Sequence, residues 1–217
     1  MDMRFALAGL MSLAGASTVA AHDALMDAAL ARPALPPGDV SGVIETKRTL
    51  TGGSEPEVET SRANPAKDPA KAFASYGELK DIIGADAHAV HHAPGQTTYA
   101  FTTHHIPHSL TQVGDVKVSM DGKEEDALFD GVAVVVTDAS GQPFVRTLDL
   151  RMRKAAGNWF VRVKRIDISY KFVPAAQSAA MMANAMSVDV DIRAAVFVRR
   201  QVHADSTLVA AVGVGVR

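Results

Sequence analysis

The sequence predicts a mainly β (α+β) domain, a curved antiparallel sheet or incomplete β-barrel of about nine strands with an N-terminal helix and one or two short covering helices. Three observations predict it. Between residues 131 and 172 apolar side chains recur at every second position, with Phe144, Leu148, Leu150 and Met152 on one parity and Thr147, Asp149, Arg151 and Arg153 on the other, the period of a half-buried strand. Two turn-forming clusters, Asp138-Ala139-Ser140-Gly141 and Ala155-Ala156-Gly157-Asn158, divide this stretch into the three strands of a β-meander, the first carrying Val132, Val134 and Val136. The third strand changes parity, from Trp159, Val161 and Val163 to Ile166, Ile168, Tyr170 and Phe172. A β-bulge near Lys164-Arg165, setting two residues opposite one, returns both sets to the same face and points Val163 and Ile166 inward together.

Composition narrows the function classes. The chain has 217 residues, of which 47% are hydrophobic, enough for one domain with its own core. Its 22 basic and 24 acidic residues are intermingled and sum to −2, with no basic stripe to track phosphates, so no nucleic-acid partner is expected. The absence of cysteine removes disulfides, thiolate metal sites, cysteine nucleophiles and a lipid-attachment cysteine. With aromatics at only 6%, the expected core is Val, Ile, Leu, Met and Ala.

Residues 1–21 read as a signal peptide: Arg4 carries the positive charge, residues 5–13 are mostly apolar, and Val19-Ala20-Ala21 offers a small-residue cleavage site before His22. The apolar run is well short of the roughly 20 residues that a spanning helix needs. Residues 22–217 are therefore expected to be a single β-rich domain in the periplasm, without a transmembrane segment. Residues 22–32 should form an amphipathic helix that Pro33 ends. Residues 40–50 read as the first strand, with Val43 toward the core, Ile44 as a further candidate there, and Glu45, Lys47 and Arg48 toward water. Gly52-Gly53-Ser54 turns the chain into a short polar strand around Val58, suited to a sheet edge. Residues 64–72 lack periodicity and read as an exposed loop.

Phe73, Tyr76, Leu79, Ile82 and Ile83, at spacings of three and four, predict a short helix lying on the sheet. Residues 85–92 and 97–104 should pair as a hairpin through Pro94-Gly95, which suits a type II turn. Residues 112–120 are strand-like and end at Asp121-Gly122. Residues 174–184, rich in Ala and Met, read as a crossing or short helix. Val188, Val190, Ile192, Val196 and Val198 share one parity and predict a long strand, and residues 208–216 a last one, buried on both sides or available for association.

Six of the eight histidines fall in one window, namely His88, His91, His92, His104, His105 and His108. Imidazole ligates zinc, copper or nickel, so this set is the candidate metal site and histidine-mediated metal binding the alternative function. The hairpin register opposes it. With a two-residue turn, His92 faces Thr97, His88 faces Phe101, and the two histidine groups stand roughly 13 Å out of register. Exposed strand-end histidines are the plainer reading. The acidic run Glu124, Glu125, Asp126 and Asp130 lacks the ligand spacing of a calcium loop, and neither Ser109 nor Ser140 sits in a nucleophile elbow. Met181, Met182 and Met186 suit either an adaptable apolar mouth or core packing. No cofactor loop is present, and the chain is not expected to be an enzyme.

A signal peptide, one amphipathic helix, a polar first hairpin beginning Val43-Ile44-Glu45-Thr46-Lys47 and a long meander resemble the periplasmic lipoprotein-carrier (LolA-like) architecture. Residues 151–172 followed by 188–199 resemble the closing strands of exported proteins of that group. The resemblance implies an incomplete barrel whose concave face is covered by helices and holds acyl chains. The expected function is a non-enzymatic periplasmic carrier of an amphiphile, lipid or lipidated partner. Its apolar hollow would be lined by the inward parity of the longest strands, Leu148, Leu150, Ile168, Tyr170, Val190 and Ile192. A closed structural or interaction domain is the bland alternative, in which the sheet covers itself.

Overall fold

The computed structural model describes residues 23–107, 127–157, 160–176, 178–194 and 198–209. The expected signal peptide, the strand expected over 112–120, Glu124, Glu125, Asp126, Ser109, His108 and residues 210–216 of the expected last strand lie outside the described residues. The strands are β1 (Val43–Thr51), β2 (Glu57–Ala63), β3 (His88–Ala93), β4 (Gln96–Thr103), β5 (Phe129–Thr137), β6 (Pro143–Met152), β7 (Ala156–Gly157), β8 (Val161–Pro174), β9 (Met181–Ala194) and β10 (Val198–Val209). They form one open, curved antiparallel sheet in the order β2-β1-β10-β9-β8-β6-β5-β4-β3, with β7 added beside β8. Helix α1 (Ala24–Leu30) packs on β6 and the adjacent β5, and a 3-10 turn (Tyr76–Glu78) runs into α2 (Leu79–Ile82).

The meander forms as its alternation dictates, and the bulge falls at Lys164. Val163 faces Ile192 and Arg165 faces Asp191, so Lys164 is the extra residue; Ile166 is buried and Val163 packs against the core. Two further irregularities carry no sequence signal. Arg146 is extra in β6, which puts Val145 rather than Phe144 on the parity of Leu148, although both are buried. Asn184 is extra in β9, between the pairs Lys171–Ala185 and Phe172–Ala183. In β5 the inward parity is Phe129, Gly131, Ala133 and Val135, while Val132 stands 38% exposed. A Cβ at Gly131 would run into the ring of Phe101, its cross-strand partner on β4, so the glycine is what lets that ring lie flat on the sheet.

β2 occupies the edge, and all of it from Glu57 to Arg62 is exposed, as its polarity requires. Arg48 departs from expectation. It shares parity with the buried Ile44 and is tied to Glu59 on β2 at 2.6 Å. The helix expected from Phe73 is shorter: Ser75 caps the chain in a capping box with Glu78, so winding starts at Tyr76 and Phe73 lies outside it. The crossing expected over 174–184 is a tight turn closed by Ala175 N–H to Ala180 O at 2.8 Å, after which Met181 enters β9 opposite Pro174. The long strand expected from Val188 through Val198 is two strands. β9 ends at Ala194 and Val198 opens β10 directly opposite it, a reversal with no Gly, Pro or Asn to announce it. The core is also more aromatic than composition implies, because all three tyrosines of the chain, Tyr76, Tyr99 and Tyr170, are at most 1% exposed.

Candidate functional site

The two faces of the sheet have opposite chemistry. On the inner face, registered pairing places Leu148 beside Tyr170 and Leu150 beside Ile168, and sets Ile166 against Val190 and Val163 against Ile192. The expected ligand-lining residues are thus brought together. Leu148, Leu150, Ile168, Tyr170 and Val190 are all buried, and Ile192 packs against them partly exposed. Side chains of the chain itself cover them: Met26, Ala29 and Leu30 from α1 belong to the same core, and the Tyr76 ring meets Phe172 edge-on at 5.3 Å.

Polar bonds at three points fasten this cover. Asp23 caps α1 through the amides of Leu25 and Met26 and also accepts the Tyr99 hydroxyl proton at 2.8 Å. The Tyr76 hydroxyl donates to Ala29 O at 2.9 Å and accepts from Val145 N–H at 2.8 Å, joining helix to sheet; burial pushes its pKa up to about 12. Tyr99 is raised as well, first by burial and then by the Asp23 carboxylate. Beyond the helix, Arg32 reaches Asp138 at 2.8 Å and Ala179 O at 2.9 Å. Asp138 sits far below the usual carboxylate range because the Ser140 hydroxyl and Arg32 both bind its charged form.

The outer face carries a registered row of charge: His203 on β10, Asp189 on β9, Asp167 on β8, Arg151 on β6 and Asp130 on β5 stand side by side. Asp167 pairs with both Arg151 and Arg165, and Asp130 with Arg153. A groove of about 510 Å³ lined by Asp130, Asp149, Arg151, Asp167, Ser169 and Ser187 follows this row, and one of about 320 Å³ adjoins it at Asp189, Asp191 and His203. Sequence reasoning missed the row. Its only local signal is an aspartate at outward parity on successive strands, and the register that aligns them is a long-range property.

His203 is held between Asp189 (Nδ1 to Oδ1, 2.8 Å) and Asp205 (Nε2 to Oδ2, 2.9 Å), with Thr49 opposite it on β1. These carboxylates, Asp189 foremost, raise its pKa, and Asp205 is lowered, chiefly by the Ser187 hydroxyl and then by His203. A raised histidine contributes stability that is complete below its unfolded value of about 6.5 and is lost as pH rises through the folded value. The melting-temperature gap between wild type and His203→Gln is therefore expected to be widest below about pH 6.5 and to close as pH rises above it. Because the side chain is 46% exposed, screening should hold the effect below about 1 kcal/mol. A gap that widened with rising pH would contradict this.

The described histidines of the window, His88, His91, His92, His104 and His105, do not converge. His91 faces Thr98 and His92 faces Thr97, the latter as expected, but His88 faces Ala100 rather than Phe101 because β3 is irregular between Ala89 and His91. His88 instead contacts Asp86 O at 3.0 Å, and His104 and His105 follow the end of β4. Among the described residues no group of three or more His, Cys, Asp or Glu side chains is placed to hold a metal ion. Compared with family models, with curated proteins and with solved structures, the chain finds no match.

Proposed function

We propose that the chain is a non-enzymatic periplasmic binding protein that carries an amphiphile, a lipid or a lipidated partner on the apolar face of its sheet. One observation supports this reading above others: a wide apolar face, held open by an unclosed sheet, is covered over β5 and β6 by a helix of only seven residues, held by Met26, Ala29 and Leu30 and by a few polar bonds. Seven residues are too few for a helix to be stable alone, so α1 depends on these contacts and can leave as a unit. Its departure uncovers Leu148 and its neighbours on β5 and β6, and Met26 gives the cover an adaptable apolar side chain. Among the described residues no helix is long and apolar enough to cross a membrane.

The test is binding of a fluorescent fatty-acid probe to the folded mature protein, with displacement by phospholipid. Tyr99→Phe removes the bond from β4 to Asp23. If α1 must lift, that loss raises the competent fraction and should tighten probe binding by up to about tenfold, since a hydrogen bond to a charged group contributes about 1.5 kcal/mol. Absence of probe binding to both proteins, each showing a native circular-dichroism spectrum, would discard the carrier reading.

A further inference from the structure

At one end of the sheet the start of β8, the end of β9 and the start of β10 lie side by side. Val161, Ala194 and Val198 are in register across β8, β9 and β10. They continue the parity of Val163 and Ile192, which pack against the core, so the apolar face runs past the core and emerges into water. There Phe160 is 55% exposed, Val161 42% and Val198 44%. One position inward, on the opposite face, a second row crosses the same strands: Arg162, Arg193 and Arg199 stand directly opposite one another, all exposed, and Gly157 ends the row on β7. Three guanidinium groups are thus aligned at the strand spacing of about 5 Å. Lys154, Lys164 and Arg200 add positive charge at the same end.

We propose that this end of the sheet docks the protein on a membrane bearing anionic lipid headgroups, with Phe160, Val161 and Val198 entering the interface and the arginine row binding headgroup phosphates. The two rows together select this partner. Guanidinium forks match phosphate oxygens, and the exposed apolar edge beside them reaches the boundary between headgroups and acyl chains, about 5–10 Å deep. A soluble polyanion would satisfy the arginines and leave the apolar edge in water. The proposal requires no cargo and stands apart from the carrier reading.

The experiment is flotation of the mature chain with phosphatidylcholine vesicles that contain or lack phosphatidylglycerol. Trp159, the single tryptophan of the chain, precedes Phe160 in the sequence and supplies a fluorescence readout. Binding to the anionic vesicles only, weakening with salt and accompanied by a blue shift of tryptophan emission, is the expected result. Arg162→Glu should weaken binding about 25-fold, from two charge units at roughly a factor of five each. It also places a carboxylate across from Arg193, so its melting temperature should hold or rise, which separates lost docking from lost folding. Phe160→Ser with Val198→Ser should abolish the blue shift. Folded wild type that ignores anionic vesicles would overturn the proposal. So would binding that survives both variants, or binding that a soluble polyanion removes completely while the serine variants leave it unchanged.

Discussion

Ile168→Asp is expected to unfold the protein. Ile168 is 2% exposed on the inner face, flanked in register by Leu150 on β6 and Val188 on β9, so a carboxylate there has neither water nor a counter-charge. An uncompensated buried ion costs several kcal/mol, and a loss above about 5 kcal/mol would consume most of the stability of an ordinary domain. Lys171→Asp, three residues along β8 at an exposed outward position, serves as the control and should change stability by less than about 0.5 kcal/mol. Urea unfolding of the two variants checks the pair. A folded Ile168→Asp protein that lost only probe binding would instead place Ile168 at a solvated hollow, and would favour the carrier reading over a filled core.

Tyr76→Ala is expected to cost about 4 kcal/mol, as removal of a large buried ring does. The ring is 1% exposed and meets Phe172 edge-on, and its hydroxyl joins α1 to β6, so both layers lose their shared contact. Tyr76→Phe separates the two contributions. It keeps the ring and orphans the Val145 amide, while the Ala29 carbonyl keeps its bond from Arg32 N–H, at about 1–3 kcal/mol. Thermal or urea unfolding of both variants is the measurement. Equal losses would mean that the hydroxyl bonds dominate, and no loss in Tyr76→Phe would mean that the helix is held by packing alone.

The meander was legible because period-two alternation, turn clusters and the parity change at Lys164-Arg165 are local signals that leave little choice of face. The edge position of β2 was legible for a similar reason, since Glu57–Ala63 has too few apolar side chains for an interior strand. The N-terminal helix followed from helix formers closed by Pro33, though Asp23 as its cap sets the start later than expected.

Other features depend on partners far away in the chain. The reversal between Ala194 and Val198 has no Gly, Pro or Asn in its sequence, and it is the long-range pairing of β9 with β10 that reveals it. Tyr76 and Tyr99 come from distant segments, and only the packed fold brings the hydroxyl group of the first to Ala29 on α1 and Val145 on β6, and that of the second to Asp23 at the cap of α1. The six ligand-lining candidates were correctly assigned to one face by alternation, but alternation reports direction and not occupancy. Whether a face meets a cavity or α1 depends on where a covering element lands. The aspartate row and the arginine row are products of register: a shift of one residue in any strand would send its charge to the other face, and register is set by the sum of long-range contacts that no local stretch contains.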